Sequence, residues 1–206
     1  MFFRNKWFLI IMLLLIIISG CAEEEPKPVT DPETEPSIDT NDDAIDEEAI
    51  DVFDAAAFGD VEAVEAYIEA GEDVNTAGIL GSRPLHLAAR GGHVEIAQLL
   101  IENGAEVDIR SDPGFTPLHA AAHGNHPNMV ELLLENEADI NAQDKNGFTA
   151  LHRAAVYGNT EASEVLLENG IDVNLRDKND LTALGVALRG DFNETAELIE
   201  AYGGIE

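Results

Sequence analysis

From Ala49 to the end of the chain, apolar residues return in a fixed order. A compact cluster of leucine and alanine comes first, at Leu85–Ala89, Leu118–Ala122, Leu151–Ala155 and Leu184–Ala187, each 33 residues after the last. A polar break follows, and then a second apolar stretch: Ile96, Leu99 and Leu100 in one copy, Met129, Leu132 and Leu133 in the next. The spacing i, i+3, i+4 places these on one face of a helix. Each period therefore predicts helix, turn, helix and loop. A unit this small buries no core of its own, so the copies must stack on one another.

The punctuation agrees. Thr116-Pro117 is a helix start, because the hydroxyl caps free N–H groups and proline at the first helical position gives up no hydrogen bond. Pro127 also falls at a helix start. Gly59, Gly92, Gly124 and Gly158 stand where the chain must reverse between helices, a place for positive φ. Asn103-Gly104 and Asn169-Gly170 close second helices, with Asp108, Asn141 or Asn174 in the loop that follows. Glu137 stands where Gly71, Gly104 and Gly170 stand, so one helix end carries a side chain in a glycine's place.

The stretch Gly114-Phe115-Thr116-Pro117-Leu118-His119-Ala120-Ala121-Ala122 recurs as Gly81-Ser82-Arg83-Pro84-Leu85-His86-Leu87-Ala88-Ala89 and as Gly147-Phe148-Thr149-Ala150-Leu151-His152-Arg153-Ala154-Ala155. A degraded copy begins at Asp180-Leu181-Thr182-Ala183-Leu184-Gly185. With its period of 33, the segment 49–206 resembles the ankyrin-repeat family. The resemblance implies an all-α solenoid of about five helix-turn-helix repeats joined by β-turn loops: 49–78, 79–111, 112–144, 145–177 and 178–206. It also implies that His86, His119 and His152 brace neighbouring loops. The first repeat has Phe53 in the histidine position, and acidic residues on its leading helix suit an end cap. The last has Gly185 there, and Glu200 where Ile101, Leu134 and Leu167 stand, which reads as a polar cap.

The first 20 residues belong to another category. Arg4 and Lys6 precede an apolar run from Trp7 to Ile18, too short for a membrane-spanning helix and followed by Ile18-Ser19-Gly20-Cys21. This is a secretory signal, and its end resembles the lipobox of bacterial lipoproteins, in which Cys21 is lipidated and becomes the mature N-terminus. Residues 21–48 hold Pro26, Pro28, Pro32 and Pro36 and twelve acidic residues against Lys27, a composition expected to stay disordered as a spacer. Cys21 is the only cysteine, so no intrachain disulfide can support the repeats. The resemblance to lipoproteins places the chain outside the cytoplasm, on the outer membrane facing the periplasm in a two-membrane bacterium, or on the outer face of the cell membrane.

Charge narrows the partners. A formal net charge of −30 argues against nucleic acid and against adhesion to anionic headgroups. Second helices carry no Lys or Arg. The basic residues of the repeats, Arg83, Arg90, Arg110, Lys145, Arg153, Arg176, Lys178 and Arg189, all fall in loops or first helices. In the ankyrin arrangement those elements line the concave side. Phe115, Phe148 and Leu181 hold equivalent loop positions, matched by Ile79 and Leu80 one repeat earlier. Arg90, His123, Val156, Tyr157 and Arg189 fall at surface positions of first helices, and Arg110, Lys145 and Arg176 at the loops. Aromatic, large apolar and arginine side chains of this kind make interface hot spots.

The sequence therefore points to a monomeric, non-enzymatic, membrane-anchored protein that binds another protein through its loops and concave face, with no cofactor and no small-molecule substrate. Two rival readings keep the same fold. One is an immunity or inhibitor protein acting on a toxin or enzyme in the envelope. The other is a periplasmic metal-binding protein using His119, His123 and His126, although no cysteine or in-register carboxylate completes a zinc ligand set. A purely structural envelope component is a further alternative.

Overall fold

The computed structural model describes residues 51–206. The expected signal segment 1–20, Cys21 and the expected spacer to residue 48 lie outside the described residues. Within the described residues there are five helix pairs and no strand. They are α1 (Val52–Phe58) with α2 (Val61–Glu69), α3 (Pro84–Gly91) with α4 (Val94–Glu102), α5 (Pro117–Gly124) with α6 (Pro127–Glu135), α7 (Ala150–Tyr157) with α8 (Thr160–Glu168), and α9 (Ala183–Arg189) with α10 (Asn193–Ala201).

The pairs stack in order. Each first helix packs on the first helices before and after it, and second helices do the same less closely. The alanines explain the difference. Ala88, Ala89, Ala121, Ala122, Ala154 and Ala155 are all 0% exposed, and a methyl side chain lets helix backbones approach. Ile96, Leu100, Met129, Leu133, Leu166 and Ile199 fill the wider space on the second-helix side and are equally buried. Closer spacing on the first-helix side makes that side the inner face of the array. The core is one continuous row from Ala55 to Ile199.

Helix reversals follow the predicted rule with one shift. Gly59, Gly92 and Gly158 have φ of 83°, 72° and 66°. In the third repeat the left-handed residue is Asn125 (φ 58°), and Gly124 ends α5 instead. Counted in steps of 33, Asn125 is the counterpart of Gly92. Gly124 is small for a different reason: a Cβ there would collide with the Arg90 carbonyl and the His126 ring.

Glu137 does occupy the left-handed region, with φ 66°, beside 77°, 93° and 80° at Gly71, Gly104 and Gly170. A side chain in that region costs about 1 kcal/mol. Glu137→Gly is therefore expected to raise stability by about that amount in urea titration. An unchanged midpoint would mean that the backbone has relaxed around the glutamate.

The two ends differ from the middle. Asp51 caps α1, its carboxylate accepting the Phe53 and Asp54 N–H groups. At the other end Thr182 Oγ1 donates to the Ile205 carbonyl at 2.6 Å, tying the C-terminal residues to α9. Glu197, Glu200 and Glu206 form an acidic rim there, around a hollow whose floor is Leu184, Leu188, Ala196 and Ile205. The acidic residues fringe the end and do not cover it.

Candidate protein-binding surface

The loops joining one repeat to the next project as fingers beside the first helices. Each is closed by a backbone bond from Gly78 to Ser82, Ser111 to Phe115, Asp144 to Phe148 or Asp177 to Leu181, N–H to carbonyl. Side chains reinforce the turn: Asp144 Oδ1 accepts the Asn146 and Phe148 N–H groups, and Asp177 Oδ1 those of Asn179 and Leu181. Adjacent fingers are linked by Asp112 N–H to Leu80 O, Lys145 N–H to Pro113 O and Lys178 N–H to Asn146 O.

Side-chain struts repeat with the same period. Nε2 of His86, His119 and His152 donates to the carbonyls of Phe115, Phe148 and Leu181 in the next finger, at 2.9, 2.8 and 3.1 Å. Their Nδ1 atoms accept the N–H of Arg83, Thr116 and Thr149. That pairing fixes the neutral tautomer with its proton on Nε2. Further struts run between repeats. Asn75, Asp108, Asn141 and Asn174 accept the N–H of Glu106, Asp139, Asp172 and Ile205. His93 and His126 reach back to the carbonyls of Ala57 and Arg90.

Burial holds the bracing histidines neutral. His86, His119 and His152 are pushed below the usual imidazole range chiefly by desolvation, His119 to about 4. The unfolded chain, with ordinary imidazoles near 6.5, binds more protons in acid, so stability must fall as pH drops. Between pH 6.5 and 5 most carboxylates keep their charge, which leaves the histidines in control. His119 alone should remove about 2 kcal/mol by pH 5. Urea titrations at pH 7 and pH 5 check this; equal midpoints would contradict the neutral bracing state.

One cluster interrupts the regular pattern. Arg153 of α7 pairs with Asp144, whose side chain is 0% exposed. Its guanidinium lies 4.1 Å from the ring centre of Phe115 and 4.8 Å from that of Phe148. The rings in turn stack on His119 and His152, at 6.1 and 5.4 Å. Beside this cluster a groove of about 310 Å³ runs between the fingers at Ile79 and Pro113 and along α3 and α5 to Arg90 and His123. At its far end His123 rests against Tyr157, ring centres 4.3 Å apart.

Two family descriptions match the chain. Residues 52–144 match "Ankyrin repeats (3 copies)" and residues 133–187 match "Ankyrin repeats (many copies)". The chain belongs to the ankyrin-repeat family. Together with the five stacked helix pairs, this makes the fold an ankyrin solenoid, and ankyrin repeats are protein-interaction modules. No curated protein matches the chain.

On the ankyrin framework the predicted site residues separate into groups. Ile79, Leu80, Arg90, Phe115 and His123 converge on the groove. Tyr157, 48% exposed, sits at its edge through His123, with half-buried Val156 preceding it on α7. Lys145 is exposed on the third finger, and Arg189 is exposed at the end of α9. Leu181 is half-buried and gives its carbonyl to His152. Phe148 is half-buried between His152 and Arg153, so its ring stiffens the fingers.

Arg110 and Arg176 are occupied in another way. The Arg110 guanidinium donates to the carbonyls of Gly114 and Gln143, and that of Arg176 to those of Asp180 and Glu206. Gln143 occupies the same register and reaches Gly147 and Arg176. These three residues, 33 apart, form one more row of struts. Sequence reasoning counted Arg110 and Arg176 as surface cations and passed over Gln143.

Arg153 stands among the concave-side cations read from sequence but not among the predicted interface residues, yet its position carries a signal. Its counterparts in the neighbouring repeats are Leu87, Ala120 and Val186. A cation in an otherwise apolar register needs a local partner, and Asp144 supplies it. The histidines sort just as clearly: His119 and His126 are engaged as struts to the fourth and second repeats, and His123 rests tilted against Tyr157. Among the described residues no cluster of three or more His, Cys, Asp or Glu could hold a metal ion.

Proposed function

We propose that this chain is a lipid-anchored extracytoplasmic protein that holds a partner protein against the fingers and first helices of its ankyrin array. One observation carries the choice of face. The second helices present glutamates and no Lys or Arg, whereas the inner side combines exposed apolar groups, an aromatic edge and cations. Interfaces favour Tyr, Trp, Arg and large apolar anchors, and disfavour a lawn of glutamate.

The anchor rests on the N-terminal pattern of basic start, short apolar run and Ile-Ser-Gly-Cys, followed by an acidic, proline-bearing spacer. A residue other than aspartate after Cys21, here Ala22, fits outer-membrane placement where two membranes exist. Two or three acyl chains on Cys21 would hold the protein firmly, where one would bind only marginally.

Cys21→Ser tests the anchor. The wild-type chain is expected in the membrane fraction with an intact mass that includes lipid on Cys21. The variant is expected to remain as an unprocessed, unlipidated precursor. Wild-type protein recovered in the soluble fraction with an unmodified thiol would overturn the anchored reading.

A further inference from the structure

Resting on the inner face as the docking surface, we infer that the groove between the first two fingers takes an extended segment of the partner protein. That segment carries a large apolar side chain and, three to four residues along, an acidic one.

The apolar end is built by the first finger. Ile79 is 87% exposed and Leu80 68%. The equivalent tips are Asp112-Pro113, Lys145-Asn146 and Lys178-Asn179, so only here do two large hydrophobic residues share a finger tip. Leu80 also has φ 55°, a left-handed backbone that leucine rarely adopts. The Leu80 carbonyl takes the Asp112 N–H, but its side chain, left in water, gains no burial in the isolated fold, and such strain gathers at binding sites. Across the groove, Leu87, Pro113, Phe115 and Ala120 complete an apolar lining.

The charged end lies one helix length away. α3 and α5 each have eight residues, about 12 Å of helix, and Arg90 and His123 stand in their last turns. An extended peptide covers that distance in three to four residues. Among the described residues Arg90 has no ion-pair partner, unlike Arg153, which is committed to Asp144. Among the described residues no Asp or Glu lines the groove, in a chain with 41 acidic and 11 basic residues. The cations make themselves felt: after burial, Arg90 and Arg153 are what lower the His123 pKa. A carboxylate is the group that such an end recognises, and most of the protein's own surface would repel it.

The test pans the full chain, solubilised in detergent and immobilised, against a random decapeptide library displayed on phage. Enriched peptides are expected to carry Leu, Ile, Met or Phe with Asp or Glu three or four positions away. Their binding, followed by fluorescence anisotropy, should weaken at least tenfold with Leu80→Gly and with Arg90→Glu. Replacing the peptide's acid by Lys should restore binding to Arg90→Glu. Leu80→Gly relieves the left-handed strain, so its melting temperature should hold or rise while binding falls, which separates lost contact from lost fold.

Enriched peptides without the acid, peptides that bind Leu80→Gly as tightly as the wild type, or no enrichment at all would overturn the inference. Cross-linking of a partner to Tyr157 in cells, together with any of these results, would retire the groove and leave the inner face standing. Any of these results without a cross-link at Tyr157 would retire the two together.

Discussion

Arg153→Ala is expected to cost the fold about 3–5 kcal/mol, a large part of the 5–15 kcal/mol that a domain of this kind possesses. The side chain it removes is only 15% exposed and neutralises an Asp144 carboxylate that is not exposed at all. Exposed ion pairs are worth little, but a buried carboxylate stripped of its cation keeps its desolvation cost. Asp144 also organises the third finger through Asn146 and Phe148, so it cannot turn to water without undoing that turn. The rings of Phe115 and Phe148 lose their cation as well. Urea titration of the single variant and of Arg153→Met combined with Asp144→Asn separates these causes. The double variant should recover a substantial part of the loss, because it leaves no charge uncompensated. A single-variant loss below about 1 kcal/mol would mean that the pair behaves as a surface contact.

His119→Ala is expected to cost about 3 kcal/mol and to make unfolding less cooperative. The buried ring links three places: Phe148 O in the next repeat, the Thr116 N–H at its own helix start, and the Phe115 ring. Alanine leaves a cavity and a buried Thr116 N–H without its partner, and takes from the Phe148 carbonyl one of its two donors, the other being the Asp144 N–H. In a solenoid, stability is a sum of repeat terms and interface terms, and this change strikes the interface between the third and fourth repeats. The denaturation slope should therefore fall along with the midpoint, as the two flanking blocks begin to unfold separately. The first repeat shows how the fold manages without the histidine. Phe53 packs its ring against Gly78, where a Cβ would collide with it. A single sharp transition with a loss under 1 kcal/mol would contradict the bracing role.

Most of the fold was legible because stacking demands that the same physical problem be solved every 33 residues. Periodic leucines and alanines gave the helix pairs, and the recurring histidine marked the brace. Glu137 was legible for the same reason, as a side chain where three glycines set the expectation. Single-position reading failed where two residue types solve one problem. Asn125 takes the left-handed place that glycine holds elsewhere, since its short polar side chain tolerates that region. Arg110, Gln143 and Arg176 looked unrelated as residue types, yet each carries N–H donors that reach the next loop.

The candidate surface was legible only in outline. Exposed apolar positions and cations could be counted from sequence, but their grouping could not. That Ile79, Leu80 and Arg90 share one groove depends on how closely α3 and α5 approach. That Phe148 is half-buried depends on a cation from α7. Spacing alone carries neither fact.

Site-specific photocross-linking in intact cells reads directly which face meets the partner. A photoreactive residue in place of Tyr157 on the inner face is compared with one in place of Glu131 or Glu164, both exposed on second helices. The expected result is a discrete protein adduct from position 157 and none from 131 or 164. Adducts from 131 or 164 with none from 157 would show that the partner binds the acidic back of the solenoid.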